Sequence, residues 1–246
     1  MNRTEWIDKC NHWKNKWPVI QQEYLQAGDE INMYAVIDAI NKYSKPTATV
    51  MADAGSGYYI GSTAFKPKQG QRFVCSVSQA DMGWAVPAAV GVALASKQQA
   101  ITFLGDGSFM SNIQELAVAK QHNLDIKFVI LNNNGYSCIR NTQTKYYQGR
   151  VYGTSNTTGI WFPLFENVAT TFGLGYKEIN DVDQLKEFEH ILNTPGPMLV
   201  VCKCNTDQEI APAQGLKNGK QAGLHDLFPF LSDEELNREM IVKYNV

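Results

Sequence analysis

Strand-like runs alternate with segments of helical periodicity along most of this chain. The runs fall at residues 47–51, 73–76, 100–104, 126–131, 175–179 and 198–202, and the helical segments at 32–41, 84–96, 111–122, 163–172 and 182–193. Such alternation predicts an α/β fold: a doubly wound, six-stranded, mostly parallel sheet with helices on both faces. The ends break the pattern. Trp6, Cys10, Trp13 and Trp17 recur at helical spacing before Pro18 interrupts, which reads as an amphipathic helix and a linker over 1–29. The expected domain spans 30–212, and 213–246, polar and glycine-bearing at first, reads as a flexible tail.

Two turns carry candidate chemistry. Gly105-Asp106-Gly107-Ser108 closes one apolar run and opens a segment with Ile113, Leu116, Ala117 and Lys120 at helical spacing. A strand that hands a glycine-rich turn to a helix start offers free N–H groups to an anion. Asp106 at the tip would repel a phosphate unless a divalent cation lay between them, and Mg2+ commonly bridges a carboxylate to phosphate oxygens. Asn132-Asn133-Asn134-Gly135 closes the next run, and Asn133 stands 27 positions after Asp106, enough for one right-handed β-α-β unit. Asn133 can offer a neutral side-chain oxygen and Gly135 its carbonyl. Each motif alone is an ordinary loop sequence; their order and spacing set them apart.

A GDG turn followed some two dozen residues later by NN after an apolar strand resembles the thiamine diphosphate signature. The run from Ser78 through Ala80, Asp81, Met82 and Gly83 to Gly91, and Gln114-Glu115-Leu116-Ala117, extend the likeness. Over 30–212 the chain resembles the C-terminal diphosphate-binding domain of the acetolactate synthase, pyruvate oxidase and benzoylformate decarboxylase group, most of all acetolactate synthase-like large chains. The resemblance implies thiamine diphosphate and Mg2+ as cofactors, with Asp106, Asn133 and Gly135 on the metal. It further implies Gly55, Ser56, Gly57, Gly105, Gly107, Ser108, Asn134 and Gly135 around the diphosphate. Ala80 would accept the aminopyrimidine N–H through its carbonyl, and Met82 would be the wedge that bends the cofactor. Asp81 departs from the small residue usual at its position.

The same resemblance implies a carboligase or decarboxylase of 2-keto acids whose activating glutamate sits on a separate pyrimidine-binding domain. No room for that domain is expected before the first strand, and Glu115 reads as a helix-anchoring residue instead. The chain is therefore expected to be inactive alone and to be completed by a pyrimidine domain on the full-length protein or on another subunit, in a homodimer or tetramer. Two other readings stand beside it. A nicotinamide-dependent oxidoreductase would need a third glycine after Gly55-Ser56-Gly57, which the sequence lacks, and a non-catalytic assembly domain would need no metal ligands.

Composition narrows the field further. A formal charge of −2 offers no basic field for nucleic acid, and no apolar stretch is long enough to span a membrane. Five scattered cysteines read as reduced thiols of a cytoplasmic protein, with Cys202 and Cys204 on one strand face. Gln143 and Tyr147 are candidate substrate contacts, whereas His122 and His190 read as surface residues and His225 belongs to the tail.

Overall fold

The structure, a computed structural model, describes residues 2–242; Met1 and residues 243–246, the two extremes of the expected end segments, lie outside the described residues. Six strands form one sheet: β1 (Thr49–Ala52), β2 (Arg72–Cys75), β3 (Ala100–Gly105), β4 (Ile126–Asn132), β5 (Gly175–Ile179) and β6 (Met198–Lys203). Their order is β2-β1-β3-β4-β6-β5 and every pairing is parallel, so the predicted class is borne out.

Helices cover both faces. On one, α4 (Ala85–Ser96), α6 (Leu116–Gln121) and α8 (Phe165–Phe172) pack on Met51, Leu104, Phe128, Ile130, Leu199 and Val201. On the other, α3 (Gly55–Ala64) lies on Phe103, so close that a Cβ on Gly61 would come within 2.1 Å of the ring. α2 (Met33–Tyr43) packs against α3 and against α9 (Phe188–Asn193). Burial from both sides is why the central strands read as apolar runs rather than alternating ones. Lys127 interrupts β4 with a fully buried side chain; its ammonium donates to Asp125 and, at 2.7 Å, to the Gly196 carbonyl, while burial pushes its pKa down.

Several expectations need correction. The helix expected over 111–122 is broken: α5 (Asp106–Phe109) starts at the GDG turn itself, a 3-10 stretch follows over Met110–Glu115, and Asn112 is non-helical at φ −141°. Asn112 gives its side-chain amide to the Gly83 carbonyl at 3.1 Å, a tertiary bond that outweighs helical continuity there. Likewise only the second half of 182–193 is α-helical, the first being 3-10. α1 (Arg3–Lys16) forms, and its Asn2–Glu5 capping box explains where it starts, but none of its residues is buried.

The chain divides into two compact units at Gln208/Glu209. Within the second, where a flexible tail was expected, β7 (Leu216–Lys217) and β8 (Lys220–Gln221) form a hairpin. Lys217 Nζ bridges Asp226 (2.8 Å) and Asp233 (3.0 Å), and Ser232 caps α10 (Asp233–Glu239). Among the described residues no helix is long and apolar enough to cross a membrane, and all five cysteines are free.

Candidate cofactor site

The chain leaves β1 for β2 on one side and later returns to β3 on the other, which makes the β1/β3 boundary a topological switch point. Crevices form at the carboxyl ends of strands at such points, because the following loops diverge to opposite faces. Register places the exits together: Ala52 pairs with Phe103, and Gly105 with Leu131. The turns after β1, β3 and β4 therefore meet at one edge, around a cleft of about 490 Å3 counted with the solvent at its mouth.

Three helices start at this edge: α3 at Gly55, α5 at Asp106 and α7 (Ser137–Tyr146), and none has a side-chain cap. The Gly107 and Ser137 N–H groups are taken up by Asp106 Oδ1 and the Gly135 carbonyl, and helix starts of this kind favour an anion. Two hydroxyls add to this lining, Ser56 Oγ lying 3.0 Å from Ser137 Oγ.

Asp106 is 1% exposed. Its Oδ1 accepts the Gly107 N–H at 2.7 Å and its Oδ2 the Gly135 N–H at 2.8 Å, with the Asn133 N–H also directed at the carboxylate. Burial pushes its pKa up to about 6, and these donors, together with the charge of Arg140, limit the rise. Asn133 is likewise buried, and the Gly135 carbonyl accepts the Ser137 N–H at 3.2 Å, leaving a second lone pair.

The glycines here are sterically required. A Cβ on Gly107 would stand 2.0 Å from Tyr136 Cε1, and one on Gly135, whose φ is +138°, would stand 1.8 Å from the Thr154 carbonyl oxygen. Gly55 takes φ +58° to turn β1 into α3.

Of the residues singled out from sequence, Gly55, Ser56, Gly57, Met82, Gly105, Asp106, Gly107, Ser108, Asn133 and Gly135 all line this one cleft. Ala80 and Asn134 do not. Ala80 sits at φ 52° with its N–H on the Ser76 carbonyl, and Asn134, at φ 56°, is exposed. Met82 is 41% exposed at the cleft. Gln143 has both ends of its amide on the Tyr152 backbone, at 2.9 and 3.2 Å, so it fixes a loop rather than standing free for a ligand. Tyr147 is exposed and lines a second hollow with Arg150 and Tyr152; His122 and His190 are exposed.

Three contributors escaped the sequence reading. Asp53, 2% exposed, accepts the Gly83 N–H at 2.9 Å and the Ala85 N–H at 2.8 Å, clamping the segment that carries Met82. Tyr136 packs on Gly107, and Ser137 faces Ser56. The signal for Asp53 lay in its place just before the glycine turn.

The donor set can be tested against a metal. Among the described residues no group of three or more His, Cys, Asp or Glu side chains could hold one. Among the described residues the cleft lining offers one carboxylate, Asp106, with neutral oxygens beside it and helix starts that favour an anion, while Asp53 is engaged by the Gly83 and Ala85 N–H groups. That set fits a hard cation which draws its remaining ligands from phosphate and water.

Residues 53–202 match the family described as thiamine pyrophosphate enzyme, C-terminal TPP binding domain. The acetolactate synthase isozyme 1 large subunit of Escherichia coli (strain K12) is 29% identical over 85% of this chain and 37% of its own length. The acetolactate synthase large subunit of Cyanidium caldarium is 29% identical over 91% of this chain and 38% of its own. The mitochondrial acetolactate synthase catalytic subunit of Aspergillus candidus is 24% identical over 98% and 34%. The chain thus spans little more than a third of the curated relatives it matches. It belongs to the thiamine pyrophosphate enzyme family, through the C-terminal domain whose cofactor is thiamine diphosphate.

Proposed function

We propose that this chain anchors thiamine diphosphate and Mg2+ for an acetolactate synthase-like carboligase or decarboxylase of 2-keto acids. The observation that carries the reading is the buried Asp106 carboxylate meeting the Gly135 N–H at 2.8 Å inside a cleft ringed by uncapped helix starts. Asp106, Asn133 and the Gly135 carbonyl hold the cation. Gly55, Ser56, Gly57, Gly105, Gly107, Ser108 and Gly135 surround the diphosphate from the cleft lining, and Asn134 flanks it from the exposed side of the turn. Ala80 and Met82 serve the organic end, Ala80 through its carbonyl and Met82 as a wedge.

Thiamine diphosphate, when bound, supplies a nucleophilic ring carbon and an electron sink for 2-keto acid chemistry. This chain's part is to position. The Asp53 clamp on Gly83 and Ala85 sets the height of Met82 above the cleft, and the helix starts neutralise phosphate charge without moving. A pyrimidine-binding domain, on the same full-length protein or on another subunit, brings the activating glutamate, and this chain is inactive without it. The assembly is a cytoplasmic homodimer or tetramer.

Calorimetric titration of the chain, alone and with a complementing pyrimidine domain, tests this. Thiamine diphosphate is expected to bind only with Mg2+ and to lose that binding in Asp106→Ala; metal-independent binding, or none in the reconstituted pair, overturns the reading.

A further inference from the structure

Arg140 stands in the first turn of α7, where a cation opposes the helix dipole and so needs partners on other elements. Its Nη2 donates to the Thr206 carbonyl, and Nη1 reaches the Thr154 carbonyl at 3.5 Å. Nε lies 3.4 Å from Asp207 Oδ1, an ion-pair distance without hydrogen-bond alignment. The Arg140 side chain is 12% exposed and that of Asp207 82%, so the two carbonyls, not the surface charge pair, are the partners that matter.

Both carbonyls are themselves placed. Glu30 accepts the Thr206 N–H at 3.0 Å and its hydroxyl at 3.1 Å. The Thr154 oxygen receives the Tyr136 N–H at 3.0 Å, and it is the atom that a Cβ on Gly135 would strike. The turn at 133–135 is therefore backed by Thr154, and Thr154 by Arg140.

We propose that Arg140 is a positioning residue for this turn: by spanning Thr154 and Thr206 it seats the Thr154 carbonyl against Gly135 and so keeps Asn133 and Gly135 aligned with Asp106. The inference rests on the proposed role of the turn in holding a cation with a diphosphate.

Two measurements on the whole chain separate the inference from that reading. The first is amide exchange at Gly135 and Tyr136 without any ligand, in wild type, Arg140→Ala, Arg140→Lys and Asp207→Asn. Exchange is expected to rise at least tenfold in Arg140→Ala and about threefold in Arg140→Lys, whose single ammonium cannot span both carbonyls, and to stay within twofold in Asp207→Asn. The second is titration with MgCl2 plus inorganic diphosphate, where Arg140→Ala should bind at least tenfold more weakly. Should Arg140→Ala fail to fold, Arg140→Lys decides on the same two readouts. Unchanged exchange, or faster exchange with unchanged affinity, overturns the positioning role and leaves the cofactor reading intact. Faster exchange in a chain whose wild type binds no magnesium diphosphate supports the tether and defeats the cofactor reading.

Discussion

Tyr136 lays its ring where the side chain of residue 107 would begin, leaving 2.0 Å between Cε1 and an added Cβ. Residue 107 must therefore be glycine for as long as the ring stays. Gly107→Ala should cost about 1–3 kcal/mol, the usual range for an overpacked site, and should displace the ring from the cleft. Urea denaturation checks this, and the double variant Gly107→Ala/Tyr136→Ala should recover part of the loss. An alanine at 107 that leaves stability unchanged would mean that the ring swings away freely.

A harsher result is expected one turn along. At Gly135 a Cβ meets backbone, the Thr154 oxygen at 1.8 Å, and φ is +138°. Strain and overlap add, so Gly135→Ala should lose roughly 3 kcal/mol or more. Gly91 in α4 serves as the contrast, since nothing lies within 4 Å of a Cβ there. Gly91→Ala should be neutral or stabilising by up to about 1 kcal/mol. Thermal melts of the two variants side by side decide the point.

Asp53 holds two N–H groups of the segment that carries Met82. Asp53→Ala leaves both donors buried without an acceptor and should cost about 2–4 kcal/mol, with Asp53→Asn milder at about 1–2 kcal/mol. Amide exchange at Gly83 and Ala85 should quicken in both. Protection retained at these two amides would refute the clamp.

Asp106 supplies a pH dependence. Its pKa in the folded chain is about 6, above the ordinary 3.8, so between these values the folded state binds more protons than the unfolded one. Stability from this residue is therefore present at low pH and is lost as pH rises from about 4 to about 6, by on the order of 2–3 kcal/mol. Under the proposed role of Asp106, Mg2+ with diphosphate should reverse the trend, since a cation would bind the ionised form. Melting temperature against pH, with and without MgCl2 and diphosphate, should show a ligand-induced rise that is large at pH 7.5 and fades below about 6. An equal rise at pH 5 and pH 7.5 counts against a carboxylate ligand.

What the sequence made legible follows from packing. The four central strands were readable because a strand pressed between two helical layers keeps an apolar core at its centre, as in the 100–104 and 126–131 runs. The paired turns were readable because backbone geometry leaves a mark on composition, glycine where a Cβ would collide and asparagine or aspartate at the edge. α3 was not, since Gly55-Ser56-Gly57-Tyr58-Tyr59 is poor in helix formers and is held helical by its seat on Phe103. The break at Asn112, the Asp53 clamp and the occupied amide of Gln143 each depend on partners 9 to 32 residues away, and periodicity carries no trace of such pairs.

The crevice at the β1/β3 boundary arises from the order in which the strands were laid down, and at Gly55, Gly57, Gly105, Gly107 and Gly135 it presents only main chain. Amide groups are common to every residue type. Descendants of one ancestor can therefore exchange most of their surface and retool what they make, and the seat for a charged tail persists as long as the winding of the sheet and a few collisions-in-waiting at glycine are inherited.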